Sequence, residues 1–279
     1  MTTKRFQTRG SGLSTLRHPV LHVGMALCLT SMTIVKATNP EPSAPPAQIF
    51  CEDQFQALRN DANTDATPER QLDRWKALKP KCDGNATYQL RLGGFNVEAG
   101  HLDEARIAFE SGLKLGGSEK ELRLGLSDVE FRQGHLEAAW ALASGLIDAH
   151  PDWAPGYSAA AQVQLVRHQF DEAIHNLEHA NTLTPGSGAF QLLAMAYYQQ
   201  RRPREAAAAM QRALKLDRSA LKNTQAVCAT AFSLVQLGHV PEADQLLKRH
   251  VLLRPSAADV PQFKEATTLV GHRLESRAP

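Results

Sequence analysis

Between residues 154 and 187 apolar side chains return at helical spacing twice, with a polar break between the two runs. Tyr157, Ala160 and Ala161 share one face of a first helix, Ala173, Leu177 and Ala180 share one face of a second, and Pro185 closes the pair. Ala161 and Ala173 stand one on each helix. With no bulky side chain at either place, the two helix axes approach to the low end of the usual ~8–10 Å separation. The same pairing of small residues recurs as Gly93 with Ala105, Ala194 with Ala206, and Ala231 with Ala243. These units start near residues 86, 154, 187 and 224, so the gap after 86 holds one further copy over 120–153. Its register has two readings. Ser127 with Ala139 keeps the spacing, whereas Gly125 with Ala138 follows the likeness of LRLGG (90–94) to LRLGL (122–126).

Turn signals agree with this division. GHLDEA (100–105), GHLEAA (134–139), HQFDEA (168–173), RRPREA (201–206) and GHVPEA (238–243) each start a second helix. Acidic residues fall in the first turn of most of them, where the helix dipole favours negative charge, and Pro203 and Pro241 suit early helical positions. Upstream, the pattern predicts a hairpin of helices over about 48–60 and 68–79, with Phe55, Leu58, Trp75 and Leu78 apolar. Arg59 and Gln71 occupy its small-residue places, so it reads as a cap or a degenerate repeat. Downstream, Phe263, Ala266, Val270 and Leu274 mark a final amphipathic helix over 261–275 that covers the last unit.

A period of about 34 residues built this way resembles the tetratricopeptide repeat (TPR) family. The resemblance rests on Leu92, Gly93, Gly100, Ala105 and Phe109 in the first unit, and on Tyr157, Ala161, Ala173, Ala180 and Pro185 in the third. The fourth unit adds Leu193, Ala194, Tyr197, Ala206 and Ala213, and the fifth Ala231, Gly238, Ala243 and Pro255. It implies an all-α fold, a right-handed α-solenoid of helix-turn-helix repeats with N- and C-terminal capping helices. The expected organisation is a signal peptide (1–37), a proline-rich disordered lead-in (38–47) and an N-terminal hairpin (48–85). Five repeats (86–119, 120–153, 154–186, 187–223, 224–257) and a C-terminal cap with tail (258–279) follow.

The chain departs from the family pattern in three places. Gln89, Tyr157, Phe190 and Val227 stand where a tryptophan is usual, His250 replaces a small residue, and RSALKN (218–223) lengthens the join before the fifth unit. The resemblance further implies that the first helices line a concave groove for a protein or peptide segment. Carried over, it nominates Leu90; Asp128 and Phe131; Ser158, Gln162 and Leu165; Gln191, Met195 and Tyr198; and Gln225, Cys228, Phe232 and Gln236. The lysines and asparagines with which chaperone-binding relatives clamp a C-terminal carboxylate are missing.

Charge refines the picture. The formal +2 of the whole chain conceals an uneven split, because residues 1–37 hold Lys4, Arg5, Arg9, Arg17 and Lys36 with no acid. Without those five, 26 basic and 29 acidic residues remain, a net of −3 that argues against nucleic acid as a partner. The apolar run Val20–Val35 is short of the ~20 residues that span a bilayer. Val35 and Ala37 fit the −3 and −1 places of a signal-peptidase site. Export to a bacterial periplasm is the expectation, with membrane contact only in transit. An uncleaved N-terminal anchor facing the same compartment is the alternative.

Cys28 belongs to that leader. Cys51 and Cys82 stand at ends of the predicted hairpin that come together, so a disulfide between them is the expectation in an oxidising compartment and two buried thiols the alternative. Cys228 lies on an apolar face.

Catalytic and metal signatures are wanting. No glycine-rich phosphate loop, paired-cysteine motif, nucleophile elbow or HExxH occurs. His101, His135 and His239 recur one per repeat, too far apart to share a metal, and His175 with His179 makes an incomplete site. Asn85-Ala86-Thr87 matches a glycosylation acceptor of low specificity. The expectation is therefore a non-enzymatic scaffold or adaptor of the cell envelope, serving secretion, polymer export or surface assembly, without cofactor or metal. A self-associating structural protein is the alternative, and an enzyme with an unrecognised site a more distant one.

Overall fold

A computed structural model describes residues 46–60 and 67–276. The leader, its cleavage site, Cys28 and the lead-in up to residue 45 lie outside the described residues. The described part opens with α1 (Pro46–Asn60), α2 (Pro68–Lys76) and α3 (Lys79–Cys82). Five pairs follow: α4 (Ala86–Ala99) with α5 (Leu102–Lys114), α6 (Glu119–Arg132) with α7 (Leu136–Ala149), and α8 (Ala154–Val166) with α9 (Phe170–Leu183). The last two are α10 (Ser187–Gln199) with α11 (Pro203–Leu216) and α12 (Thr224–Gln236) with α13 (Val240–Leu253), and α14 (Pro261–Glu275) closes the array. Among the described residues there is no strand. The expected helix over 68–79 ends at Lys76 and resumes as α3 after a short turn that Pro80 and its neighbours tighten.

Every pair turns the same corner. Gly100, Gly134 and Gly238 adopt a left-handed backbone with φ of 81°, 81° and 82°, and His168 and Arg201 do so in the other two pairs at 59° and 55°. The next backbone N–H then bonds back into the helix: His101 to Asn96, His135 to Glu130, Gln169 to Gln164, Arg202 to Tyr197 and His239 to Leu234, all at 2.8–2.9 Å. This closure satisfies carbonyls that the helix end leaves open and sets the second helix antiparallel to the first.

The small-residue pairs sit where the helices touch. Ala105, Ala161, Ala173, Ala194, Ala206, Ala231 and Ala243 are fully buried. In the second unit Ser127 Oγ donates to the Ala139 carbonyl at 3.1 Å, which settles the register on that pair. Gly125 has a different task. A methyl group there would meet the Phe109 ring at 2.5 Å, and one on Gly93 would meet the same ring at 2.4 Å, so Phe109 of α5 packs against two glycines.

Two departures from the repeat prove to be one feature. The lengthened join forms a 3-10 turn over Arg218–Lys222, and fully buried His250 donates its Nδ1 proton to the Leu221 carbonyl within it. The imidazole packs on Phe263 of α14, ring centres 5.3 Å apart, filling the space the insertion opens. At the other end Cys51 of α1 and Cys82 of α3 are joined as a disulfide. Phe55 stacks on Trp75 at 5.0 Å, Trp75 on Phe95 at 5.4 Å, and the Tyr88 hydroxyl donates to the Trp75 carbonyl. In the terminal helix Phe263, Ala266 and Val270 are buried as expected, but Leu274 stays 36% exposed, because it lies a turn beyond the last partner.

Candidate functional site

First helices pack on first helices, α4 on α6, α6 on α8, α8 on α10 and α10 on α12, while each second helix packs on the first helices either side. The first helices therefore form the inner layer, and their outward faces line three cavities. The largest, about 1060 Å³, runs over α4, α6, α8 and the start of α10. Leu90, Phe95, Phe109, Gly125, Leu124 and Trp153 supply its apolar surface, and Ser158, Gln162 and Gln191 its neutral polar groups. A second, about 240 Å³, lies among α8, α10, α12 and α14 and includes Leu165, Met195, Tyr198, Gln225 and Gln262. The third, about 390 Å³, is bounded by Tyr198, Phe232, Gln236, Leu269 and Arg273. Tyr198 stacks on Phe232 with ring centres 5.7 Å apart, so this pair forms the wall between the last two cavities.

Of the residues nominated from sequence, Asp128, Gln162 and Gln191 share the large cavity with Leu90 and Ser158. Leu165, Met195 and Tyr198 share the second, and Phe232 meets Tyr198 in the third. Asp128 is engaged by Arg132, whose Nε donates to both carboxylate oxygens at 3.0–3.1 Å. Phe131 lines none of the three. Cys228 is fully buried, and burial, helped by nearby Glu265, pushes its thiol up to about 11. It belongs to the core, since α14 closes over the face that an open array would leave bare.

Sequence reasoning missed Phe95, Phe109, Leu124 and Trp153, and the carboxylates Glu98, Glu121 and Asp152 that ring the large cavity. It also missed that α14 lends Gln262, Leu269 and Arg273 to the groove, acting as one more first helix. The amphipathic pattern of 261–275 was the available signal, since a helix that covers a repeat also presents a face beside it.

Burial pushes the Tyr198 hydroxyl above its ordinary value, with Glu265 and Cys228 adding to it. Tyr197, one residue earlier, turns inward. Burial and its hydrogen bond to Glu178 push its hydroxyl up to about 12. The histidines serve the frame: His135 Nδ1 lies 2.8 Å from Glu130, His239 Nδ1 lies 3.3 Å from Glu242, and the His179 ring meets Tyr157 edge-on at 4.5 Å. Among the described residues no three His, Cys, Asp or Glu side chains converge as metal ligands would, and no helix is long and apolar enough to cross a membrane. Asn85 of the glycosylation motif caps α4 by accepting from the Tyr88 N–H at 2.9 Å.

Residues 96–152 and 188–220 each match the tetratricopeptide repeat family. No curated protein matches the sequence. Among solved structures, a thermophilic TPR protein of Thermus thermophilus is 18% identical with a TM-score of 0.55, the match covering 66% of this chain and 98% of that one. Yeast Tom70 is 18% identical with a TM-score of 0.57, over 80% of this chain and 47% of Tom70. The APC/C hetero-tetramer Cut9–Hcn1 is 12% identical with a TM-score of 0.61, over 80% of this chain and 46% of the matched one. The chain thus spans about half the length of the latter two, and at these identities the likeness speaks for the fold. Repeat matches in two stretches, five helix pairs closed by one turn geometry, and an inner layer of first helices give one answer: the chain carries tetratricopeptide repeats and folds as an α-solenoid of the kind that serves as a protein–protein interaction scaffold.

Proposed function

We propose that the protein is an exported, non-catalytic adaptor of a bacterial cell envelope that holds a segment of another protein along the first-helix groove. The observation that carries this reading is the groove itself. Three cavities follow the first helices; apolar side chains and amides line all of them, and charged side chains join them around the largest. Glutamine amides such as Gln162, Gln191 and Gln225 suit the backbone of an extended segment, while Leu165, Met195 and Tyr198 offer anchors. Export is supported by the basic start, the apolar run Val20–Val35 and the small residues before Thr38.

Capture from envelope extracts with the full chain, compared with Tyr198→Ala and Gln162→Ala variants, tests the groove. A partner lost by both variants, whose circular dichroism matches wild type, supports it; a partner retained by both overturns it. Cell fractionation with N-terminal sequencing tests the address: export with a new terminus at Thr38 is expected, and a cytoplasmic, uncut chain refutes it.

Self-association is the second reading. Leu252, Leu253 and Leu274 stand exposed at 79%, 51% and 36% at the C-terminal end of the array. Light scattering with and without residues 261–279 distinguishes it, since only a self-associating chain loses mass beyond the deleted segment.

A further inference from the structure

The three cavities differ in charge. The two smaller ones carry glutamines and, among their fully charged side chains, only Arg273. The large one is ringed by Glu98, Glu121, Asp128 and Asp152 against Arg91 and Arg132, a formal −2. Arg132 is already engaged by Asp128, which leaves Glu98, Glu121 and Asp152 facing Arg91. Lys120 lies over the Trp153 ring at 5.4 Å without joining the lining, and the surface stays net acidic when it is counted.

Glu121 is the most telling member. Its Oε2 is shielded from water and accepts no hydrogen bond among the described residues. The positive end of the α6 dipole steadies the charge, but a shielded carboxylate oxygen without a donor is costly. The residue as a whole is only partly buried and lines the cavity, so a cationic side chain in the groove would offset its charge from the open side. Beside it lies apolar surface from Phe95, Leu124 and Trp153.

Resting on the groove reading above, we propose that the α4–α8 part of the groove takes a basic peptide segment: a lysine or arginine directed at Glu121 and Asp152, next to an aliphatic or aromatic residue seated on Phe95 and Leu124. The same acidity repels polyanions and acidic peptides.

The test is selection of a displayed random 12-residue peptide library on the full chain, with the winners measured by fluorescence anisotropy. Enriched peptides should pair Lys or Arg with an apolar neighbour and weaken as salt rises. They should lose about ten- to a hundredfold in affinity for Glu121→Gln combined with Asp152→Asn, a near-isosteric change whose fold is checked by circular dichroism. Enrichment of neutral or acidic peptides that Gln162→Ala or Tyr198→Ala abolishes would overturn the basic partner and leave the groove standing. Basic peptides indifferent to the double variant would overturn it too. No enrichment at all would overturn both.

Discussion

Phe109 has nowhere to go. Its ring, 2% exposed, fills the space that Gly93 and Gly125 leave free on two successive first helices, so little room remains for it to shift. At Gly125 two effects of an added methyl compete. Alanine gains about 1 kcal/mol of helix propensity over glycine, while overpacking a closed site costs about 1–3 kcal/mol. The ring's confinement decides the sign, and Gly125→Ala should destabilise by about 1–2 kcal/mol. Gly145, inside α7 with nothing within 4 Å of an added methyl, supplies the contrast: Gly145→Ala should stabilise by up to about 1 kcal/mol. Urea midpoints at unchanged slope measure both. Adding Phe109→Leu to Gly125→Ala should recover part of the loss, and independent additive effects would show that the ring is not the cause.

Elements were legible in the sequence where their cause is local. A small residue on each helix, a left-handed turn and an acidic first turn lie close together in the chain, so the five pairs and the terminal helix could be read directly. Features made by stacking could not. Gly125 matters because of a ring one unit earlier, and Glu98, Glu121 and Asp152 occupy unrelated places in their own units, so no period marks the acidic rim. The N-terminal hairpin shows both cases. Its helices were visible, but Trp75, Tyr88 and Phe95 meet only once α2 packs on α4, and Phe55 of α1 joins them from a third helix. The Cys51–Cys82 link, 31 residues apart in sequence, fixes that placement. In chain-entropy terms, closing such a loop contributes about 3–4 kcal/mol. Because each unit of such an array leans on its neighbours alone, reduction should loosen α1 through α3 and leave α10–α13 untouched. Hydrogen exchange with and without dithiothreitol measures this; equal loss of protection along the whole chain would refute it.

Across the array, stability is the sum of units and the interfaces between them, and the interface between the first two units is charged as well as apolar. Arg106 of α5 donates to Glu130 of α6 and to Gln133 beyond it, Gln133 donates to Asp103 at 2.9 Å, and His135 meets the other oxygen of Glu130. Glu130 is only 7% exposed. Burial alone would raise its carboxyl, but the hydrogen bonds from Arg106 and His135 outweigh it and hold the group below its ordinary range. A carboxyl lowered by folding contributes stability that is fully present above its unfolded pKa, near ~4.3, and is lost as pH falls through the folded value. Glu130→Gln keeps the shape and removes the charge, so it should cost about 1–3 kcal/mol at neutral pH. That gap to wild type should hold above about pH 5 and close as the pH falls below about 4. Hydrogen exchange should place the loss in α4–α7. A gap that persists in acid would mean that shape, rather than charge, joins these two units, and the ordering of the acidic groove built over them would then not depend on this ion network.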